Sequence, residues 1–327
     1  MLPIHETLDA VAQGSEEQFC SMGANQQGFQ EDLQQWSSRV GIPLVGFWAA
    51  LGLWGDSAPH TKFDSLYLMT YTCLSGLFRK RIWVAAFNKR RLCRCGCYGR
   101  HTYEPILENI AWSCRSLASG LWPSRDQWGR RWPFGSWRRA KAGTKLAVCA
   151  AIIASCGDWQ WNKIVFDLTS WTGETPDKLC CWFCRAGFLK KNYAYDFRLN
   201  ARWRSTYFTM KSYWEFVREC NRYVSPIWSI PGFVLSMHKP DFMHSCCLGI
   251  LQYLLGSTVF ELFQSLGGTA KKPVFACQML ENMSATAAAA CNIEQPFHSL
   301  TLGMLKPKKG MPKMRLKATQ ARRFLHA

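Results

Sequence analysis

Four groups of residues in this 327-residue chain have types and spacings suited to chemistry. Gly55-Asp56 and Gly157-Asp158 each close an apolar run with a carboxylate. Acids at the ends of neighbouring strands can converge on one point and hold Mg²⁺ or Mn²⁺, hard cations that take oxygen ligands. Two such ions about 4 Å apart activate a water or hydroxyl and stabilise the leaving oxygen of a phosphodiester. A Gly-Asp pair after a strand is also an ordinary turn, and that alternative stays open. Cys181-Trp-Phe-Cys184 is a CxxC, whose i,i+3 thiolates can reach one zinc ion at about 2.3 Å. Asp241-Phe-Met-His244 offers a carboxylate and an imidazole at the same spacing, with Cys180 and His238 as further donors nearby. A CxxC is equally found as a redox-active or buried pair. Cys93-Arg-Cys95-Gly-Cys97 is a second thiol cluster, but its alternating spacing suits tetrahedral chelation poorly and no obvious fourth ligand follows.

Elements must position these groups. Val45 to Trp54 is an apolar run between Pro43 and Gly55-Asp56 and reads as a buried strand. Ser65 to Leu74 and Arg81 to Phe87 follow as strands. Thr102 to Leu121 has helical apolar spacing through Ile106, Ile110 and Leu117 and stops at Gly120 and Pro123. Trp122 to Lys145 reads as an irregular Trp- and Arg-rich excursion. Leu146 to Ser155 is the next strand. Three strands, a helix and a fourth strand suit an α/β domain with a mixed sheet. Residues 176–240 read as inserted, Asp241 to Phe263 as a helix with a stripe of Leu248, Leu251, Leu255, Val259 and Leu262, and Lys313 to Ala327 as a basic helix. The expected divisions are therefore a leader over 1–40, the first part of a core over 41–175, a Cys-containing insertion over 176–240 and a helical completion over 241–327.

Charge narrows the partner. The net charge is +18, but residues 1–40 hold six acids and one base, so the remainder carries 39 bases against 16 acids. A body that basic repels itself unless something anionic lies near, and nucleic acid is the first candidate. Arg130, Arg131, Arg138, Arg139 and Lys141, interleaved with tryptophans that can stack on bases, are the candidate DNA contacts. Solvated basic faces with packed tryptophans are the plain alternative. The acidic leader is expected to be poorly ordered or loosely helical. The start MLPIHETLDA lacks the basic and apolar regions of a signal peptide. The sixteen cysteines, several inside apolar runs, are expected to be reduced, with some bound to metal. No stretch reaches about 18 clean apolar residues. Ser245 to Phe260 comes nearest but carries Gln252, Ser257 and Thr258, so no membrane partner is expected.

The pieces LGLWGDSAPH (51–60), ASCGDW (154–159), CCWFCRA (180–186), KPDFMHSCCLGILQYLL (239–255) and RLKATQARRF (315–324) resemble DDE-type DNA transposases of the CACTA-like (En/Spm-like) group, in particular a diverged protist lineage of transposon-derived proteins. The resemblance spans most of residues 44–327, and the Asp-x-Met-His block is its most specific part. It implies a ribonuclease-H-like mixed sheet flanked by helices, with a helical insertion pinned by zinc. In that scheme Asp56 and Asp158 are the first two catalytic acids, binding Mg²⁺ or Mn²⁺. Cys181, Cys184 and His244 are zinc ligands, with Asp241 as ligand or structural partner. The third acid of the family, a Glu, aligns with Gln320, and an amide cannot supply a negative metal ligand. The resemblance thus implies a nuclear, transposase-derived DNA-binding protein that is inactive or weak in strand transfer, its oligomeric state open to a homo-oligomer. The alternatives are a non-enzymatic zinc-stabilised nucleic-acid-binding module and a decayed transposon fragment.

Overall fold

The computed structural model describes residues 1–14, 27–61, 64–74, 81–97, 99–167, 181–187, 192–193, 196, 198–267, 273–295, 299–301 and 314. The chain divides into two units, Met1–Lys239 and Pro240–Ala327.

In the first unit the apolar runs become a five-stranded mixed sheet. The strands are β1 (Trp48–Thr61), β2 (Asp64–Cys73), β3 (Arg81–Asn88), β4 (Cys149–Gly157) and β5 (His238–Lys239), in the order β3-β2-β1-β4-β5. β1, β2 and β3 form an antiparallel meander, and β4 and β5 run parallel to β1. The helices are α1 (Ile4–Gly14), α2 (Gln27–Val40), α3 (Arg100–Ser119), α4 (Trp137–Lys141), α5 (Trp159–Phe166) and α6 (Met210–Glu219). Strand alternation gives β1 one face carrying Leu51, Leu53, Gly55 and Ser57, opposite Cys73, Tyr71, Met69 and Tyr67 of β2. Helices α1, α3 and α5 cover that face. Thr7 shares a 2.8 Å hydrogen bond with Tyr71, the Tyr103 ring meets Tyr67, and Trp161 lies over Gly55 and Gly157. Helix α2 joins the core through Trp36, which packs on Trp48 and donates its indole N–H to the Pro231 carbonyl at 2.7 Å.

Three expectations are corrected. β1 does not end at Trp54. It runs through Gly55-Asp56 to Thr61 in the β2 hairpin, so Gly55-Asp56 is not a turn. The acid-rich leader is not loose over its described part: α1 and α2 bury Ile4, Leu8, Leu33 and Trp36 completely or nearly so. Residues expected as an insertion also supply core of the first unit (Tyr213, Val217, Ile227, Ile230, Phe233) and end in β5, the fifth strand. Every cysteine among the described residues is a free thiol.

The second unit opens with a π-helical run over Met243–Ile250, continuing as α7 (Leu251–Ser265) and followed by α8 (Pro273–Ala290). Leu251, Leu255, Val259 and Phe263 pack with Ala276, Cys277 and Leu280. The buried stripe thus ends on Phe263, one residue past the expected Leu262, which is 40% exposed. By length and composition Cys246–Ser265 is apolar enough to cross a membrane, and 35% of it is buried. The stretch set aside for its polar residues therefore passes on mean hydropathy, a measure that a packed core helix also meets. The expected basic helix over Lys313 to Ala327, apart from Met314, lies outside the described residues.

Candidate functional site: an acid pair and a thiol cluster

The two Gly-Asp pairs meet through sheet register. β1 and β4 run parallel with Gly55 opposite Gly157, the last pair of that ladder. The Gly55 carbonyl accepts the Asp158 N–H at 3.1 Å. Beyond this point β1 pairs only with β2 among the described residues. Asp56 accepts the Ser57 backbone N–H at 2.7 Å, and Asp158 accepts the Ser57 hydroxyl at 2.9 Å. Ser57 therefore joins the two carboxylates, a role that no residue-type pattern in the sequence flags. Asp158 is 8% exposed. Its other oxygen caps α5 by accepting the Trp161 N–H at 2.9 Å, satisfying one of the free donors of the helix's first turn.

Why each acid follows a glycine is steric. A Cβ on Gly55 would come within 2.5 Å of Trp161 Cδ2, and one on Gly157 within 2.5 Å of both Trp161 Cβ and the Gly55 carbonyl oxygen. The fully buried Trp161 ring lies across the last pair of the β1–β4 ladder and needs both positions bare. Tyr67, the β2 partner of Ser57, completes the floor. Its phenol is pushed well above the ordinary range, first by burial and then by the charges of Asp158, Tyr103 and Asp56. At the end of the β1–β4 ladder the structure thus sets a half-buried carboxylate, Asp56, and a buried one, Asp158, whose two oxygens are both bonded within the fold. The third position of the expected triad, Gln320, lies outside the described residues.

The thiols divide into two places. Cys93, Cys95, Cys97 and His101 bring four ligand atoms to within 4.8 Å of one another, a set able to hold a metal ion such as zinc. The fourth ligand missed in the sequence is His101, in the first turn of α3. Cys97 is pulled down to about 6, chiefly by the backbone N–H of His101. Cys181 and Cys184 belong to the first unit. Cys184 is buried, and Cys181 is lowered to about 7, first by its hydrogen bond with Cys184. Asp241 and His244 belong to the second unit. There Asp241 accepts the Met243 N–H at 2.9 Å, and the His244 side chain lies outside the described residues. His238 is fully buried against Phe166 and Trp182, at ring distances of 4.5 and 4.6 Å. Burial and nearby Lys239 lower it to about 3.

The basic residues are partly engaged within the fold. Arg138 makes a bidentate pair with Glu6 of α1 at 2.6 and 2.9 Å and lies over Trp132 and Trp137. Lys141 lies 3.6 Å from Asp9 and over Trp122. Arg130 pairs with Asp126 at 2.8 Å and stacks on Trp128. Arg139 lies over Phe134, and both it and Arg131 are exposed. Glu6, Trp128, Arg130, Arg131, Trp132 and Arg138 help line a cleft of about 650 Å³. Compared with protein-family models, curated proteins and solved structures, the chain matches none of them.

Proposed function

We propose that this is a transposase-derived DNA-binding protein on a ribonuclease-H-like scaffold, with Asp56 and Asp158 as the first two acids of a DDE-type site. The observation that carries it is the Gly55–Gly157 register, which brings two acids 102 positions apart to the end of the β1–β4 ladder in a sheet of order β3-β2-β1-β4-β5. That order, with a meander followed by two parallel strands, is compatible with a ribonuclease-H-like core. Asp56 and Asp158 would hold Mg²⁺ or Mn²⁺, which when bound supplies activation of a water or 3′-hydroxyl and charge stabilisation at the phosphate. The chain's own contribution is to hold the two carboxylates through Ser57 and the α5 cap. The basic, Trp-rich surface would carry the DNA backbone, with Arg130, Arg131 and Arg139 the exposed members of the set. Gln320 at the third position leaves one negative ligand missing, so strand transfer is weak or lost. Nuclear location follows only from this reading. Zinc at Cys181 and Cys184 belongs to the same proposal.

A second reading is favoured by one observation: both Asp158 oxygens are already engaged, in the α5 cap and with Ser57. In that reading the acids are structural and the protein is a non-enzymatic binding module. Cleavage of supercoiled plasmid with Mg²⁺ or Mn²⁺ separates the two. The proposed site predicts faint nicking by the native chain, increased by Gln320→Glu and removed from that variant by Asp56→Ala. Gln320→Glu without any gain, alongside salt-sensitive DNA binding that Asp56→Ala leaves unchanged, would replace the first reading with the second.

A further inference from the structure

The loop between β3 and α3 takes no part in the acid site, yet it gathers three thiols and an imidazole. We propose that Cys93, Cys95, Cys97 and His101 form a closed, four-ligand structural zinc site. The inference stands apart from the nuclease reading and from the Cys181–Cys184 pair.

The donor set is soft and complete. Three sulfurs and one ring nitrogen make a Cys₃His site, a combination that selects zinc over the oxygen-loving cations. The dimensions fit. A tetrahedral ion with Zn–S near 2.3 Å sets ligand atoms about 3.7 Å apart. Here Cys93 Sγ lies 3.2 Å from Cys95 Sγ and 3.8 Å from His101 Nδ1, and Cys95 Sγ lies 3.4 Å from His101 Nδ1. All four ligand atoms fall within 4.8 Å of one another, so small side-chain rotations close the sphere.

The backbone holds the loop in this shape by itself. Gly96 and Gly99 take φ of 90° and 86°, which side chains rarely adopt, and so fold the alternating thiols back on one another. The Cys93 N–H donates to Thr102 Oγ1 at 2.9 Å, and the Arg100 N–H donates to the Cys97 carbonyl at 3.0 Å. The alternating spacing that disfavours chelation in an extended chain is thus overcome by the two left-handed turns. A disulfide between Cys93 and Cys95 would use two of the four donors and leave Cys97 and His101 unexplained, whereas zinc uses all four. Binding releases the thiol protons to solvent and forms four metal–ligand bonds, with no change of oxidation state. The ion would tie the exit of β3 to the first turn of α3, whose N-cap, Gly99, provides no side-chain cap.

The test is zinc content per chain of the full-length protein, purified reduced and without chelator. The native chain is compared with Cys95→Ser/Cys97→Ser, His101→Cys and Cys181→Ser/Cys184→Ser. One equivalent should disappear from the first variant, persist in His101→Cys, which keeps four soft ligands, and persist in the Cys181/Cys184 variant. If Cys95→Ser/Cys97→Ser fails to fold, cobalt substitution of the native chain gives the answer. Tetrahedral ligand-field bands with a thiolate-to-cobalt charge-transfer band should appear, and should be retained in the Cys181/Cys184 variant. Zinc content unchanged by Cys95→Ser/Cys97→Ser overturns the site. So do octahedral cobalt bands, and so does a metal-free native chain lighter by two hydrogens from a disulfide.

Discussion

The indole of Trp161 is the spacer on which the acid pair depends, and its influence can be measured. Carbon atoms in contact normally sit about 3.5–4.0 Å apart, so a methyl at position 55, which would meet Trp161 Cε3 first and Cδ2 at 2.5 Å, requires the ring to retreat by about 1.5 Å or more. Trp161 is fully buried, and its indole N–H donates to Ser155 Oγ at 3.3 Å, so no free direction exists. Overpacking of this kind costs about 1–3 kcal/mol, and Gly55→Ala is expected near the middle of that range. Gly157→Ala is expected at its upper end, because its methyl also meets the Gly55 carbonyl oxygen, which cannot rotate away. Urea unfolding of the full chain, followed by far-ultraviolet circular dichroism, reads the midpoint shift. The decisive comparison repeats both substitutions in a Trp161→Val background. There Gly55→Ala should fall below about 0.5 kcal/mol, the range of substitutions that meet nothing, while Gly157→Ala keeps the part due to the carbonyl. An equal penalty for Gly55→Ala in both backgrounds would show that the indole is not what excludes a side chain.

Two further outcomes follow from the site and its surroundings. His238 and His5 are both held near 3 against an ordinary 6.5, each mainly by burial, so the folded state keeps them neutral. The stability they contribute is complete above pH 6.5 and is lost as pH falls toward 3, at about 1.4 kcal/mol per pH unit for each histidine. His238→Phe should flatten that dependence in urea midpoints between pH 6.5 and 4, and an unchanged slope would refute the assignment. Under the DNA-binding proposal, Glu6→Gln with Asp9→Asn releases Arg138 and Lys141 and should tighten binding to duplex DNA several-fold while steepening its salt dependence. Unchanged affinity in a variant that still folds would place the DNA path elsewhere.

The sequence made the sheet legible where strands were long and apolar, as in Ser65 to Leu74 and Arg81 to Phe87. It hid the continuation of β1, because Asp-Ser-Ala-Pro after Gly55 has the composition of a turn and only pairing with β2 holds it extended. A two-residue β5 carries no periodicity at all. Asp56 and Asp158 were visible as a repeated local pattern, but Ser57, their link, is an ordinary serine until register is known. The Cys93 cluster is visible in the sequence as thiols, but not as a four-ligand set. His101 becomes its neighbour only through the left-handed turns at Gly96 and Gly99. In the leader, acidic composition outweighed Ile4 and Leu8, one helical turn apart, which mark the buried face of α1.

That docked helix changes what trimming the chain would do. Composition invites removal of the first forty residues as a dispensable tail. Removing them would uncover Tyr71 and Ser113, take the carboxylate of Asp9 from the Ala147 N–H and leave Arg138 without its acid. A shortened protein would therefore be stickier toward any polyanion and less stable at once. Binding measured on it would exaggerate the affinity of the whole molecule.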